Sequence, residues 1–169
     1  YLIQSASNML KVTKQREAEF RALAECDANR PSVLVQGNRH FWRSDLMTHH
    51  RPSYYTSVRM VSNRIVSTDA PCNSEGLKSH HLADGCNMIM RTGHEYRDIA
   101  PVWDWQKIPG TTVEQRPALR GSPRRQGPRS FVGGVSDGIY GAAAMDLAYE
   151  KLEARKSWFL FDDQVVCLG

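Results

Sequence analysis

The chain has 169 residues, 41% of them hydrophobic, which is enough for one domain with a real core. A formal net charge of +4 and a pI near 9.0 are modestly basic, which fits either a polyanionic partner or a merely solvated run of charge. No apolar run approaches the roughly 20 residues of a membrane-spanning helix, and the four cysteines form no CxxC, which excludes a zinc ribbon and a thioredoxin-type redox pair.

Residues 2–25 read as one amphipathic helix. Ile3, Ala6, Leu10, Phe20 and Leu23 recur at helical spacing, and Lys11, Lys14, Arg16, Glu17, Glu19 and Arg21 mostly take other faces. Asn29, Arg30 and Pro31 end it, and from Arg39 onward the period is that of strands. The expected organisation is the last helix of an upstream helical domain over 1–30, a linker over 31–38 and the start of a β domain over 39–169. Both ends read as cut, with no initiator Met and an apolar strand at Val165, Val166, Cys167 and Leu168, so the expectation is a piece of a larger protein.

Residues 40–47 form an aromatic strand candidate. After a turn at Arg51, Pro52 and Ser53, residues 54–63 alternate, with Thr56, Val58 and Met60 on one face and Tyr55, Ser57, Arg59 and Val61 on the other. The two strands make an antiparallel pair, and His49 and His50 at the bend read as surface histidines, a metal role being the alternative. Residues 64–85 carry no clean period, as in a long functional loop over a rigid sheet. Residues 86–91 are a further strand, with Met88 and Met90 on the face of Cys86, and Pro109-Gly110 is a tight turn.

The stretch 114–130 is rich in Pro and Gly and holds Arg116, Arg120, Arg124, Arg125 and Arg129. Between Arg116 and Arg129 there is no aromatic residue, so the interleaving that single-stranded nucleic acid readout uses is missing, and nucleic acid is not assigned as a partner. Residues 131–136 and 139–149 form a hairpin around Asp137-Gly138, and Gly141, Ala142, Ala143 and Ala144 leave room for something bulky to pack closely. Residues 152–161 turn at Asp162-Asp163 into 164–168, the last hairpin.

Functional chemistry is densest between Asn73 and Gly110. Glu75 sits in an Asn-Ser-Glu-Gly turn, where a loop can project its carboxylate over a cleft; a solvated turn acid is the plain alternative. His80, His81 and Asp84 raise a metal site, and with it a metal-dependent hydrolase. Adjacent histidines point apart in extended structure, however, and HHxxD lacks the i, i+4 geometry of a zinc-binding helix, so no metal is assigned. Trp103 and Trp105, two residues apart, would share one side of a strand, which suits stacking on a sugar ring or packing in a core. Cys72 and Cys86 bracket the loop, and both a bridge and free thiols fit their spacing.

Five ordered segments carry a family resemblance. NRHFWRSDLMTHHRPSYYTSVRMVSNR, NSEGLKSHHLADG, APVWDWQKIPGTT, FVGGVSDGIYGAAAMDL and ARKSWFLFDDQVVCLG, from about Asn38 to Gly169, resemble successive stretches of the central β domain of polysaccharide lyase family 8, the chondroitin AC, hyaluronate and xanthan lyases. The implied fold is mainly β, an antiparallel super-sandwich of the galactose mutarotase-like kind, preceded by one α-helix from the end of an α/α toroid domain. The implied protein is extracellular or periplasmic. It would bind an acidic polysaccharide, work with the upstream helical domain of the same parent chain, and cleave by β-elimination without a cofactor, divalent-cation assistance being left open. Glu75 maps onto the one catalytic carboxylate that the family draws from its β domain, where it orients other groups rather than abstracting a proton. The Asn, His, Tyr and Arg of the family's set belong upstream of residue 1, so the chain alone is expected to be inert. Asn73, Trp103 and Trp105 are expected to contact sugar, and Arg120, Arg124 and Arg125 to meet sulfate or carboxylate groups. A non-catalytic carbohydrate-binding or structural β-sandwich module is the alternative.

Overall fold

The computed structural model describes residues 2–25, 36–67, 76, 78–115, 126–149 and 151–169. The chain divides into two compact units, Tyr1–Gln36 and Gly37–Gly169.

In the first unit the expected single helix is two: α1, Leu2–Val12, and α2, Glu17–Ala24. The break falls where β-branched Val12 and Thr13 weaken the helix and the Thr13 hydroxyl accepts the Gln15 amide at 3.1 Å, competing with the helical ladder. Arg16 then takes the left-handed conformation (φ 58) ahead of α2. Glu17 and Glu19 occupy the first turn, where the helix dipole favours anions, and pair with Arg21 and Arg16.

The second unit is two antiparallel four-stranded meanders, β1-β2-β3-β4 and β5-β6-β7-β8. The strands of the first are β1 (Gly37–Phe41), β2 (Leu46–His50), β3 (Tyr55–Arg59) and β4 (Cys86–Met90). Those of the second are β5 (Val132–Ser136), β6 (Gly141–Tyr149), β7 (Leu152–Leu160) and β8 (Val165–Leu168). The fold is therefore mainly β and sandwich-like, as expected. The turn between β2 and β3, closed by the Arg51 amide on the Tyr54 carbonyl at 2.8 Å, also falls where expected.

The aromatic run over 40–47 is not one strand but the bend of a hairpin. The Ser44 amide bonds to the Phe41 carbonyl at 3.0 Å and Asp45 adopts φ 47, a conformation short polar side chains tolerate, so Phe41 pairs with Leu46 across the turn. At Asp137-Gly138 the hairpin is as predicted: the Asp137 carboxylate accepts the Ile139 and Tyr140 amides at 2.8 and 2.7 Å, and Gly138 takes φ 93.

Period-2 alternation turns one face of each sheet to a shared core. Met47, Val58, Met60 and Val61 of the first sheet and its exit meet Ala143, Met145, Leu147, Trp158 and Leu160 of the second. The small residues of β6 accommodate a neighbour, as expected: a Cβ on Gly141 would lie 2.2 Å from Asn38 Oδ1, on β1. His49 is corrected from surface to core, fully buried on the inner face of β2. Its Nε2 bonds to the Phe161 carbonyl, which can only accept, so Nε2 carries the proton and Nδ1 takes a long contact from the Asn38 amide at 3.5 Å. Burial pushes the His49 pKa down.

Candidate functional site

Glu75 and Asn73 lie outside the described residues, as do Arg120, Arg124 and Arg125. The chain after Glu75 is described at Gly76 and from Lys78 onward, and from Ser79 it is clamped into the sandwich. The Ser79 hydroxyl donates to the Gly76 carbonyl at 3.1 Å, and the Leu82 and Asp84 amides close successive turns on Ser79 and His81. Ala83 is fully buried and Gly85 supplies a positive φ of 84. His80 and His81 do not point apart, because this backbone turns rather than extends: their rings meet edge to face at 4.8 Å, and both abut Tyr149 of β6. Asp84, 1% exposed, accepts His81 Nδ1–H at 2.8 Å, which fixes the imidazole's orientation. This carboxylate is thereby spent on an internal bond. Among the described residues no group of three or more His, Cys, Asp and Glu side chains is arranged to hold a metal ion.

Trp103 and Trp105 fall in successive turns, not in the strand their spacing suggested. Backbone bonds from Val102 to Ile99 and from Lys107 to Asp104 fold the segment back on itself. The two rings are still neighbours, tilted by 47° at 5.5 Å, and Trp103 also stacks on Tyr96 at 6.0 Å. Trp105 Nε1–H donates to the Ala100 carbonyl at 3.3 Å, and the Tyr96 hydroxyl accepts the Ile89 amide of β4 at 3.2 Å, so the aromatic cluster is tied to the sheet. Glu95 fastens its entry by accepting the Arg91, Thr92 and Gly93 amides at 2.8, 2.7 and 2.9 Å, and hydrogen bonds from Thr92 above all hold its pKa down at about 2. Both tryptophans are half-buried, with ring surface spent on one another.

Lys156 is the residue that sequence reasoning missed. It stands on the inner face of β7, 9% exposed, where its ammonium donates to the Gly110 carbonyl and to the Thr112 hydroxyl at 2.7 Å. Burial lowers its pKa. A Cβ on Gly85 would lie 3.0 Å from Lys156 Cε, so the end of the Glu75 segment packs on the same side chain that anchors the Gly110 turn. The signal was present in the alternation Ala154, Lys156, Trp158, Leu160, which puts Lys156 in register with the core. Asn87 completes the junction: its amide nitrogen reaches Thr56 Oγ1 at 2.8 Å, and its backbone N–H bonds to Pro109 at 2.9 Å. Next to it Cys86 is a buried free thiol whose pKa is pushed up to about 11 by desolvation.

The described end of the arginine stretch is anchored as well. Gln126 bridges to Val66, the Gly127 amide bonds to the Ser62 carbonyl at 3.1 Å, and Arg129 pairs with Glu153 and, at 3.9 Å, with Asp146.

A family model described as polysaccharide lyase family 8, super-sandwich domain, matches residues 36–169. The chain is 46% identical over 134 residues to chondroitinase-AC of Pedobacter heparinus, covering 76% of this chain and 19% of that protein. It is 34% identical over 167 residues to a hyaluronate lyase of Thermasporomyces composti, covering 94% and 21%. A solved chondroitinase AC lyase, studied in enzyme-oligosaccharide complexes, matches with a TM-score of 0.82 at 34% identity, over 98% of this chain and 25% of that one. This chain thus spans about one fifth of the length of these curated relatives (19% and 21%).

Proposed function

The chain belongs to polysaccharide lyase family 8, and from that premise we propose that its parent protein cleaves a uronic-acid-containing acidic polysaccharide of the chondroitin or hyaluronan type by β-elimination. In that reaction a base takes the C5 proton, the C4–O bond breaks, a C4–C5 double bond forms, and an acid protonates the leaving glycosidic oxygen. No redox partner is needed. Neutralising the uronate carboxylate makes the C5 proton acidic, so the site has to supply positive charge or hydrogen-bond donors around that carboxylate.

Within this scheme the β unit contributes Glu75 as an orienting carboxylate, with Asn73, Trp103, Trp105, Arg120, Arg124 and Arg125 as sugar-contacting residues. The observation that carries the reading is the 46% identity to a chondroitinase over 134 residues. The clamped 78–85 segment supports the role given to Glu75, because an orienting group has to stand on backbone that does not yield. Trp103 and Trp105 contribute more as a preformed aromatic block than as two open platforms, since part of their surface is already stacked. The parent is placed outside the cytoplasm, extracellular or periplasmic, where such polymers occur. The proton-transferring groups are assigned to the parent's helical domain, so the 169-residue chain alone is inactive.

The test is to incubate the parent and this chain separately with chondroitin, dermatan, hyaluronan and xanthan and to follow the ultraviolet absorbance of unsaturated uronate. Absorbance from the parent only is expected. Saturated products that vanish on adding a chelator would indicate a metal-dependent hydrolase instead, and tight polysaccharide binding with no product would indicate a binding module.

A further inference from the structure

The alternation of arginines with aromatic rings that the 116–129 stretch lacks occurs at the start of the sandwich, in Arg39, His40, Phe41, Trp42 and Arg43. Strand β1 is an edge of its sheet, and Arg39 and Phe41, two residues apart, stand on its exposed side. Trp42 and Arg43 follow at the bend. Phe41 and Trp42 are 45% and 60% exposed, and the Arg43 guanidinium lies 4.9 Å from the Trp42 ring centroid. Leaving two large rings in water forgoes the stabilisation that burial would return, which marks the tip as a surface built for contact.

The bend is stiff and carries no outward negative charge. Asp45, the one acid in the β1–β2 hairpin, is fully buried, accepting Ser62 Oγ–H at 2.5 Å and the Arg64 guanidinium at 2.6 Å. Its carbonyl also takes the Met60 amide at 2.9 Å, locking the turn to the exit of β3. With that carboxylate turned inward, the exposed groups of the bend are the Phe41 and Trp42 rings and the Arg43 guanidinium beside Trp42.

We infer that residues 39–43 form a docking surface for an acidic polysaccharide chain. A pyranose ring has an apolar C–H face that suits indole and phenyl rings, and its carboxylate or sulfate suits the planar fork of a guanidinium. A single nucleic acid strand uses similar chemistry; the polysaccharide is favoured by the charge match together with the lyase function, on which this inference rests. The surface holds polymer and does no chemistry.

Isothermal titration of the 169-residue chain with size-defined chondroitin sulfate, alongside a single-stranded DNA of equal charge, tests this. Trp42→Ala should weaken polysaccharide binding about fivefold to tenfold, Trp42→Phe should recover most of the loss, and Arg43→Ala should flatten the salt dependence. Circular dichroism checks that each variant keeps its sheets. Binding that neither substitution changes, no binding to the unmodified chain, or DNA bound as tightly as polysaccharide would each overturn the inference. Unsaturated product from the parent, measured in parallel, separates the two failures. If product forms and the Trp42 variants bind as before, only the docking surface is wrong; if none forms on any polymer, the lyase function goes and this inference with it.

Discussion

His49 is a neutral imidazole enclosed between two sheets, and its pKa is pushed below the ordinary 6.5 chiefly by desolvation. In the unfolded chain the same ring titrates normally, so below about pH 6.5 the unfolded state binds the extra proton and the folded state loses ground. Stability contributed by neutral His49 is therefore full above the unfolded value and falls as pH drops through the lowered folded one. Urea denaturation between pH 7.5 and 5 should show this loss, and His49→Gln should flatten it. A second expectation concerns Asp45, fully buried beside a half-exposed Arg64. Asp45→Ala takes the acceptor from buried Ser62, leaves Arg64 only the Ser130 and Val132 carbonyls and removes a residue suited to φ 47, for a loss of about 2 kcal/mol in denaturant titration. Asp45→Asn keeps the left-handed turn and one bond to Ser62, and should cost about half as much.

The hairpins show how the elements depend on close approach. Gly141→Ala would drive a methyl into Asn38, with the added atom 2.2 Å from Oδ1, and should destabilise the β unit by about 2 kcal/mol or more. Gly133→Ala, on the neighbouring strand β5 with nothing within 4 Å, should stay within about 0.5 kcal/mol and serves as the control. Most strands were legible because alternation and turn chemistry agreed: Asp137-Gly138 and Asp162-Asp163 sit between β-branched and aromatic runs, and both turns formed. The Trp42 bend was not legible, since aromatic residues favour strands and the turn depends on a buried Asp45 carboxylate paired with Arg64, 19 residues away. The break at Thr13 escaped for a related reason: helical spacing of apolar residues continues across it, while a single hydroxyl bond diverts the backbone.

For the whole molecule, family and sandwich architecture were readable from five ordered motifs, and the match over 36–169 agrees with them. The chemistry of individual side chains was less readable. Spacing put Trp103 and Trp105 on one strand face, yet a fold of turns brings them together by another route. His80, His81 and Asp84 suggested a ligand set, but burial and the Asp84 to His81 bond turn them into support for the segment that follows Glu75. Lys156 escaped because lysine is seldom found in a core, although its register marked it. These supports fasten the described chain after Glu75 to the sandwich.

The most direct measurement compares the intact parent with its Glu75→Ala and Glu75→Gln variants by the rate of unsaturated-uronate formation from chondroitin, with circular dichroism on each. An orienting carboxylate predicts a fall in kcat of about a hundredfold or more for both variants at unchanged fold. Rates equal to the unmodified parent's in well-folded variants would contradict the role given to Glu75.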